Sequence, residues 1–323
     1  MLVKSLYITA PRELSLVEHD LPEPKAHEIL YRTKACGICA WDSYQYCGVN
    51  VPRTLPYIIG HEGVGIVEKV GSEVRTLRSG DCISVLKGNN EMMCEYAVTT
   101  EAHVVKIDTP IKRWEDYVWE PTCCVVNMLE ELKIQPGDHV VLVGAGYMGL
   151  ITLQGMLRAS QAGRITVFEL RADRRQIARE FGAKEVYDPT DAEGLRIIEQ
   201  IQSCGGADIC IDFSASESGC LLADSMTSQN GKFAIASYHH SPIQFDVTRW
   251  HRKGLYVYNP SPYSNAHYLD MVPRTKELIL RGAYQPEKLM THTAYYKNEL
   301  DLKHLFEISA SKNEGYIKGT VLF

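Results

Sequence analysis

Between residues 125 and 260, short continuous apolar runs alternate with longer stretches in which apolar residues recur at helical spacing. The runs predict buried strands, and the longer stretches predict helices that cover them. This alternation is typical of a parallel sheet with helices on both faces. The predicted strands lie at 139–143, 165–169, 184–187, 207–212 and 231–236, and the helices at 147–159, 172–181, 190–203 and 216–228.

Residues 1 to about 120 show a different pattern of short β-prone runs separated by Pro, Gly and Asn, which favours a compact barrel-like domain. A last run, 255–258, is stopped by two prolines, and the pattern of 265–323 assigns that block to neither half. The runs of the first part are 15–18, 28–33, 63–70, 81–86 and 94–98, and the final block reads as helix 265–282, strand 290–296, helix 299–309 and strand 317–323.

The run ending at Val143 is followed by a glycine pattern, G-A-G-Y-M-G, and then by a helix. In the order strand, turn and helix, this pattern predicts dinucleotide binding. Gly144 allows the turn, Gly146 lets backbone N–H groups approach a pyrophosphate, and Gly149 lets the helix pack on the strand. Tyr147 and Met148, at the helix start, complete the predicted cofactor-binding loop.

Glu169 ends the next strand, twenty residues after Gly149, where an acid would bind the ribose hydroxyls. It would also repel a 2′-phosphate, so we expect NAD rather than NADP. Arg171, Arg174 and Arg175 follow and offer charges for a phosphate; Arg174 is the one we include in the cofactor site. We interpret the three arginines as a solvated helix start.

The composition, 45% hydrophobic and 23% charged with a net charge of −6, is that of a globular protein. The sequence has no stripe of basic residues, so we do not expect nucleic acid as a partner. The N-terminus lacks the pattern of a signal peptide, and no uncharged run is suited to span a membrane. Ten scattered cysteines without an export signal indicate reduced thiols in a cytoplasm.

A second chemical signal comes from Cys39, Asp42, His61, Glu62 and Glu120. Thiolate, imidazole and carboxylate are the ligands of catalytic zinc, which takes three of them and leaves one position open. From the residues alone, a histidine beside a glutamate is usually a satisfied turn residue, so the set only suggests a metal.

The motif Gly60-His61-Glu62, followed by Gly65, Gly71 and Val74, resembles the signature of the zinc-containing medium-chain alcohol dehydrogenases. The similarity extends from the G-I-C box before Asp42 to the last strand, with Glu120 pointing to the sorbitol and threonine dehydrogenase branch. It implies an α/β protein with a GroES-like β-barrel catalytic domain (1–121 and 263–323) and a Rossmann domain (122–262) with a doubly wound parallel sheet.

The resemblance implies that Cys39 and His61 bind one catalytic zinc, with Glu62 as a ligand or near neighbour. Glu120 would be the third ligand or hold the metal-bound water, and Asp42 would orient His61. Lys318 stands where relatives place an arginine on the cofactor pyrophosphate. The four-cysteine lobe for structural zinc is absent, since Cys82 and Cys94 are the only cysteines in that segment.

The proton relay departs from the family. Trp41 stands where a Ser or Thr hydroxyl is usual, and Tyr44 where a His is common. Either Tyr44, Glu62 or water would carry the proton, or the chemistry is altered. We expect Trp41 and Tyr44 to line the substrate pocket, together with Tyr46 and Trp119 at its mouth.

The resulting hypothesis is a zinc-dependent, NAD-linked dehydrogenase of a small secondary alcohol: a polyol, sugar derivative or hydroxy amino acid. Three alternatives stay open: a zinc-free NAD(P)H-dependent reductase, a non-catalytic dinucleotide-binding sensor and a thiol protein built on Cys36 and Cys39. Relatives pair their Rossmann sheets edge to edge, so we expect a homodimer or homotetramer through Leu255–Tyr258.

Overall fold

A computed structural model describes residues 1–49, 54–89, 91–262, 264–313 and 315–323. The chain forms two compact units, the first built from residues 1–123, 269–277 and 286–323, and the second from 124–268 and 278–285. The predicted domains differ from these units in three segments: 122–123 belongs to the first unit, and 264–268 and 278–285 belong to the second. The predicted boundary at residue 263 lies outside the described residues.

The first unit is β-rich, as predicted, and contains a seven-stranded and a three-stranded sheet. Its larger sheet has the order β15-β16-β3-β5-β6-β8, with β7 also paired to β3. Its strands are β1 (Leu2–Ala10), β2 (Glu13–Asp20), β3 (Glu28–Ile38), β4 (Tyr57–Ile58), β5 (Glu62–Val70), β6 (Cys82–Val85), β7 (Tyr96–Thr100), β8 (Val104–Lys106), β15 (Met290–Tyr295) and β16 (Lys318–Leu322).

Both ends of the chain build this sheet. The last strand, β16, pairs antiparallel with β3, placing Gly319 opposite Ile38, and β3 pairs antiparallel with β5, placing Gly37 opposite Glu62. The core between the sheets contains Leu6, Ile8, Tyr31, Ile83 and Phe306, all buried. The helices of this part of the chain are α1 (Ala40–Tyr46) and α9 (Glu299–Ser311), with short 3-10 turns at Glu101–His103, Trp114–Tyr117 and Pro286–Leu289.

The second unit contains a parallel sheet of order β11-β10-β9-β12-β13-β14, which is the doubly wound order 3-2-1-4-5-6. The prediction of a Rossmann domain is therefore confirmed. Its strands are β9 (His139–Val143), β10 (Arg164–Phe168), β11 (Glu185–Tyr187), β12 (Ala207–Asp212), β13 (Thr227–Ile235) and β14 (Tyr256–Tyr258), and its helices are α3 (Tyr147–Ala159), α4 (Ala172–Glu180), α5 (Ala192–Ser203), α6 (Glu217–Met226) and α7 (Val247–Lys253).

Two helices cross from one unit to the other along the chain, α2 (Glu120–Leu132) and α8 (Tyr268–Leu280). The hydrophobic pattern did not predict α2, because its first turn carries Glu120 and Pro121 and was interpreted as chemistry. Among the described residues, no helix is long and apolar enough to cross a membrane.

Candidate active site

The candidate metal site forms where β3 ends and β5 begins. Cys39 follows β3 directly and caps α1, while His61 immediately precedes β5. Because Gly37 pairs with Glu62 in the sheet, the two segments are held side by side. One ligand atom from each of Cys39, His61 and Glu62 therefore lies within 4.8 Å of the others.

Asp42 forms hydrogen bonds with both segments, the one that carries Cys39 and the one that carries His61. Its Oδ2 accepts a hydrogen bond from the backbone N–H of Cys39 (2.8 Å), and its Oδ1 accepts one from the backbone N–H of Gly60 (3.2 Å). The carboxylate is almost fully buried, and its Oδ1 lies 3.9 Å from Nδ1 of His61. This geometry agrees with the predicted role of Asp42 in orienting His61, although the 3.9 Å distance is longer than that of a hydrogen bond.

His61 is buried, and no described residue forms a hydrogen bond with its Nδ1. Burial alone would lower the pKa of His61, but the charges of Asp42, Cys39 and Glu120 raise it well above its usual value. Acidic side chains and a thiol thus surround the imidazole, which is the kind of setting that a cation would stabilise. Thiolate, imidazole and carboxylate in this field fit a divalent metal of the zinc type.

The structure gives Lys318 a different partner from the predicted one. Its Nζ lies 2.6 Å from both carboxylate oxygens of Glu62, and the two side chains are only 4% and 1% exposed. The ammonium thus lies in the first unit beside the candidate metal ligands, and its contact with the cofactor pyrophosphate stays a prediction. Glu62 has its charge compensated, which favours the role of near neighbour over that of ligand.

Gly37 makes room for this pair. A Cβ atom built on Gly37 would lie 2.0 Å from Oε2 of Glu62, so no other residue fits there without moving the carboxylate. Gly88 has the same relation to His61, since a Cβ on Gly88 would lie 2.1 Å from the His61 carbonyl oxygen. Sequence analysis assigned no role to either glycine.

Glu120 is buried at the first turn of α2, and its charge acts on His61, but it is outside the 4.8 Å group of Cys39, His61 and Glu62. Its neighbour Trp119 is also buried, and its indole N–H donates to the carbonyl of Asp116 (3.1 Å). Glu120 therefore lies within electrostatic range of His61, while Trp119 is held by its own turn.

Trp41 and Tyr44 lie on α1 and are half-buried, which suits residues that line a pocket. Tyr46 is not such a residue: it is fully buried, and its hydroxyl donates to Glu307 (2.8 Å), so its placement at the pocket mouth is wrong. Ser43 bonds Ser309 (2.9 Å), which ties α1 to α9 a second time. The short helix carrying Trp41 is thus anchored on its other side.

The glycine loop follows β9 as predicted. Gly144 has φ 97°, and a Cβ there would meet the Phe213 backbone at 2.6 Å. A Cβ on Gly149 would lie 2.1 Å from the Gly144 carbonyl, so helix and strand touch directly. Around Gly146, by contrast, a Cβ meets nothing within 4 Å, and this residue caps α3, which begins with Tyr147 and Met148. The open space at a helix start suits a pyrophosphate.

Glu169 lies beside this loop. Its Oε2 accepts a hydrogen bond from the backbone N–H of Ala145 (2.6 Å), and its Oε1 accepts one from the backbone N–H of Arg171 (2.8 Å). The interpretation of the arginines as solvated is wrong for two of them. Arg174 is buried, and Arg175 donates to the carbonyls of Glu169 and Leu170 and to Asp188. The Arg175 guanidinium is therefore bonded to the segment that follows β10 and to Asp188, and these contacts give it a structural role.

A second cluster of possible ligand residues was not predicted from the sequence. Asp212 at the end of β12, Cys220 on α6 and His239 after β13 each place one ligand-type atom within 4.8 Å of the others. No spacing in the sequence indicates it, because its members belong to three elements joined only by the sheet.

The first unit carries a Cys–His–carboxylate group, and the second carries a glycine loop on a Rossmann sheet. This combination is typical of zinc-type, dinucleotide-dependent oxidoreductases. Two sequence-family models match: "Alcohol dehydrogenase GroES-like domain" at residues 25–109 and "Zinc-binding dehydrogenase" at residues 147–277. The chain belongs to the zinc-type medium-chain alcohol dehydrogenase family.

Named relatives agree with this assignment. The chain is 25% identical over 325 residues to D-xylulose reductase A of Aspergillus niger, covering 89% of this chain and 88% of the relative. It is 26% identical over 269 residues to L-threonine 3-dehydrogenase of Bacillus subtilis, covering 72% and 75%. The same fold occurs in the crystal structure of the alcohol dehydrogenase RspB of Escherichia coli complexed with NADH, with TM-score 0.84, 23% identity and coverage of 100% and 99%.

Proposed function

We propose that this chain is a dehydrogenase that uses one catalytic zinc and NAD to oxidise a small secondary alcohol. NAD-dependent alcohol oxidoreduction is the reaction of its family. The observation that carries the finer proposal is the group of half-buried Cys39 with buried His61 and Glu62, positioned by Asp42, in a chain whose second unit holds a glycine loop beside Glu169.

Cys39 and His61 would bind the metal. Glu120, whose charge acts on His61, would be the third ligand or would hold the metal-bound water. When bound, zinc lowers the pKa of an alcohol and polarises a carbonyl. Asp42 keeps the imidazole in place, and Lys318 compensates the charge of Glu62, so the carboxylate does not cancel the positive charge that the substrate oxygen needs.

The proton would leave through water. Trp41 has no proton of useful pKa to pass on. Burial, followed by the charges of Cys39 and Cys47, raises the pKa of the Tyr44 phenol, so Tyr44 stays a neutral hydroxyl and would act only as a relay that accepts one proton and donates another. Glu62 is paired with Lys318. The route we propose is therefore water, reached from the substrate oxygen directly or through the Tyr44 hydroxyl.

The substrate class is a polyol, sugar derivative or hydroxy amino acid, which the names of the two relatives support. The test is NADH formation by the zinc-loaded protein with a panel of pentitols, hexitols, 3-hydroxy amino acids and simple secondary alcohols. Turnover of at least one class supports the proposal. Binding of NADH without turnover of any alcohol or ketone would favour the sensor, and turnover that survives metal removal would favour the zinc-free reductase.

Replacing Asp42 with asparagine is expected to raise the zinc dissociation constant about 10–100-fold, the usual effect of losing a residue that orients a ligand. An amide accepts the backbone N–H groups less well and offers His61 no charge. Competition with a chelating dye measures the constant. The control is Asp20→Asn, an exposed carboxylate at the end of β2; equal constants for the two variants would contradict the role of Asp42.

Replacing Glu169 with alanine is expected to lower the preference for NAD over NADP, as the ratio of kcat/KM values, at least about tenfold. The carboxylate would give NAD a charge-assisted hydrogen bond, worth about 1.5–3 kcal/mol, and would repel a 2′-phosphate. Glu193→Ala, at an exposed position on α5, is the control. An unchanged ratio would mean that Glu169 does not face the adenosine ribose.

We also propose that the chain carries no structural zinc and pairs through its edge strand. Cys94 donates to the carbonyls of Glu91 and Tyr96, as a packed thiol does. Tyr256 on the edge strand β14 is 59% exposed, which is unusual for a strand aromatic and suits an edge-to-edge contact. Light scattering of the purified protein, with Tyr256→Lys as the variant, distinguishes a homodimer or homotetramer from a monomer.

A further inference from the structure

The cluster around Asp212 is a built polar site in the second unit. Asp212 ends β12 and is fully buried, while Ser237 and His239 follow β13. Nε2 of His239 lies 2.7 Å from Oδ2 of Asp212 and 3.1 Å from Oγ of Ser237. A histidine with its carboxylate and hydroxyl partners thus stands at the carboxyl edge of the sheet.

This arrangement positions a histidine better than it would bind a metal. Oδ1 of Asp212 accepts hydrogen bonds from the backbone N–H (2.9 Å) and the hydroxyl (2.6 Å) of Ser214, and Oδ2 accepts from Ser237 and His239. Burial raises the pKa of the Cys220 thiol to about 12. A metal would have to displace several of these bonds and deprotonate the thiol.

The location of the cluster points to the cofactor. The strand order reverses between β9 and β12, and dinucleotides bind at the carboxyl edge at such a reversal. The backbone of Phe213 and Ser214, directly after Asp212, packs against Gly144 of the glycine loop. Glu169 lies on the β10 side of this loop, so the cluster lies on the opposite side, which belongs to the second half of a dinucleotide.

We propose that His239, positioned by Asp212 and Ser237, contacts a hydroxyl of the nicotinamide ribose of NAD. The inference rests on the proposed NAD-linked function. Both hydrogen bonds of His239 to described residues run through Nε2, which leaves Nδ1 for the ligand. An imidazole nitrogen donates to or accepts from a hydroxyl, depending on its tautomer.

The test compares ligands that differ by one group: ADP, ADP-ribose and NADH, titrated by calorimetry into zinc-loaded wild type, His239→Ala and His251→Ala. His251 is exposed on α7 and serves as the control. His239→Ala is expected to bind NADH and ADP-ribose about tenfold more weakly, the size of one good hydrogen bond, and ADP with unchanged affinity. His239→Gln, which keeps a hydrogen-bonding group, is expected to recover part of the loss.

Each other result overturns the inference in its own way. Equal affinity of wild type and His239→Ala for NADH removes the contact, and a loss for NADH but not for ADP-ribose moves it from the ribose to the nicotinamide. A second zinc per chain, lost in His239→Ala and kept in Cys39→Ala, would make the cluster a metal site. A wild type that binds neither ADP nor NADH overturns the proposed function itself, and the inference with it.

Discussion

Replacing Lys318 with methionine is expected to lower the free energy of unfolding by about 3–5 kcal/mol, the usual cost of leaving a buried charge without its partner. The reason is the enclosure of Glu62: its carboxylate is 1% exposed and has the Lys318 ammonium 2.6 Å from both oxygens. Methionine fills a similar volume but cannot compensate the charge. Urea unfolding of the two proteins under the same metal conditions measures the difference.

The double variant Glu62→Gln with Lys318→Met is the matched control. It removes both charges, so it is expected to recover most of the lost stability, because replacing a whole buried pair costs much less than breaking it. Lys318→Arg keeps the charge and is expected to stay close to wild type. A loss below about 1 kcal/mol in Lys318→Met, the value typical of a surface pair, would show that Glu62 is not enclosed as described.

Replacing His61 with alanine is expected to lower kcat about a thousandfold or more with the alcohol that the wild type oxidises best. A metal supplies several kcal/mol of charge stabilisation in the transition state, and each 1.36 kcal/mol is about tenfold in rate. The affinity for NADH is expected to change little, since the glycine loop and Glu169 belong to the other unit.

Initial rates and NADH fluorescence titration on the same samples separate these two effects. His304→Ala, exposed on α9, is the control and is expected to behave as wild type. Retention of more than about a tenth of the wild-type rate in His61→Ala would contradict a metal-dependent reaction at this site, because so small a loss corresponds to about one hydrogen bond.

Much of the fold was predictable because its signals are local. The strands from β9 to β13 and the helices between them follow runs of apolar residues, and the glycine loop lies where the pattern places it. Two short-range signals misled. α1 is a seven-residue helix capped by Cys39 and Asp42, residues interpreted only as chemistry. Arg174 and Arg175 are charged, and we interpreted them as solvated, but Arg174 is buried and Arg175 donates to backbone carbonyls.

The candidate metal site was less predictable, because its residues meet through strand pairing. Cys39 and His61 become neighbours through the register of β3 with β5, which the residues alone do not fix. The resemblance to the family supplied that step. The partner of Glu62 is Lys318, 256 residues away, and they meet only because β16 pairs with β3. The Asp212–His239 pair depends in the same way on β12 lying beside β13.

The most direct test of the account is the zinc content of the purified protein, by elemental analysis, in wild type and in Cys39→Ala. We expect about one zinc per chain in the wild type and almost none in the variant, since a catalytic site uses three protein ligands and Cys39 supplies the thiolate. A wild type free of zinc after growth in zinc-supplemented medium, or a variant that keeps its zinc, would contradict the central claim that Cys39 and His61 form a catalytic metal site.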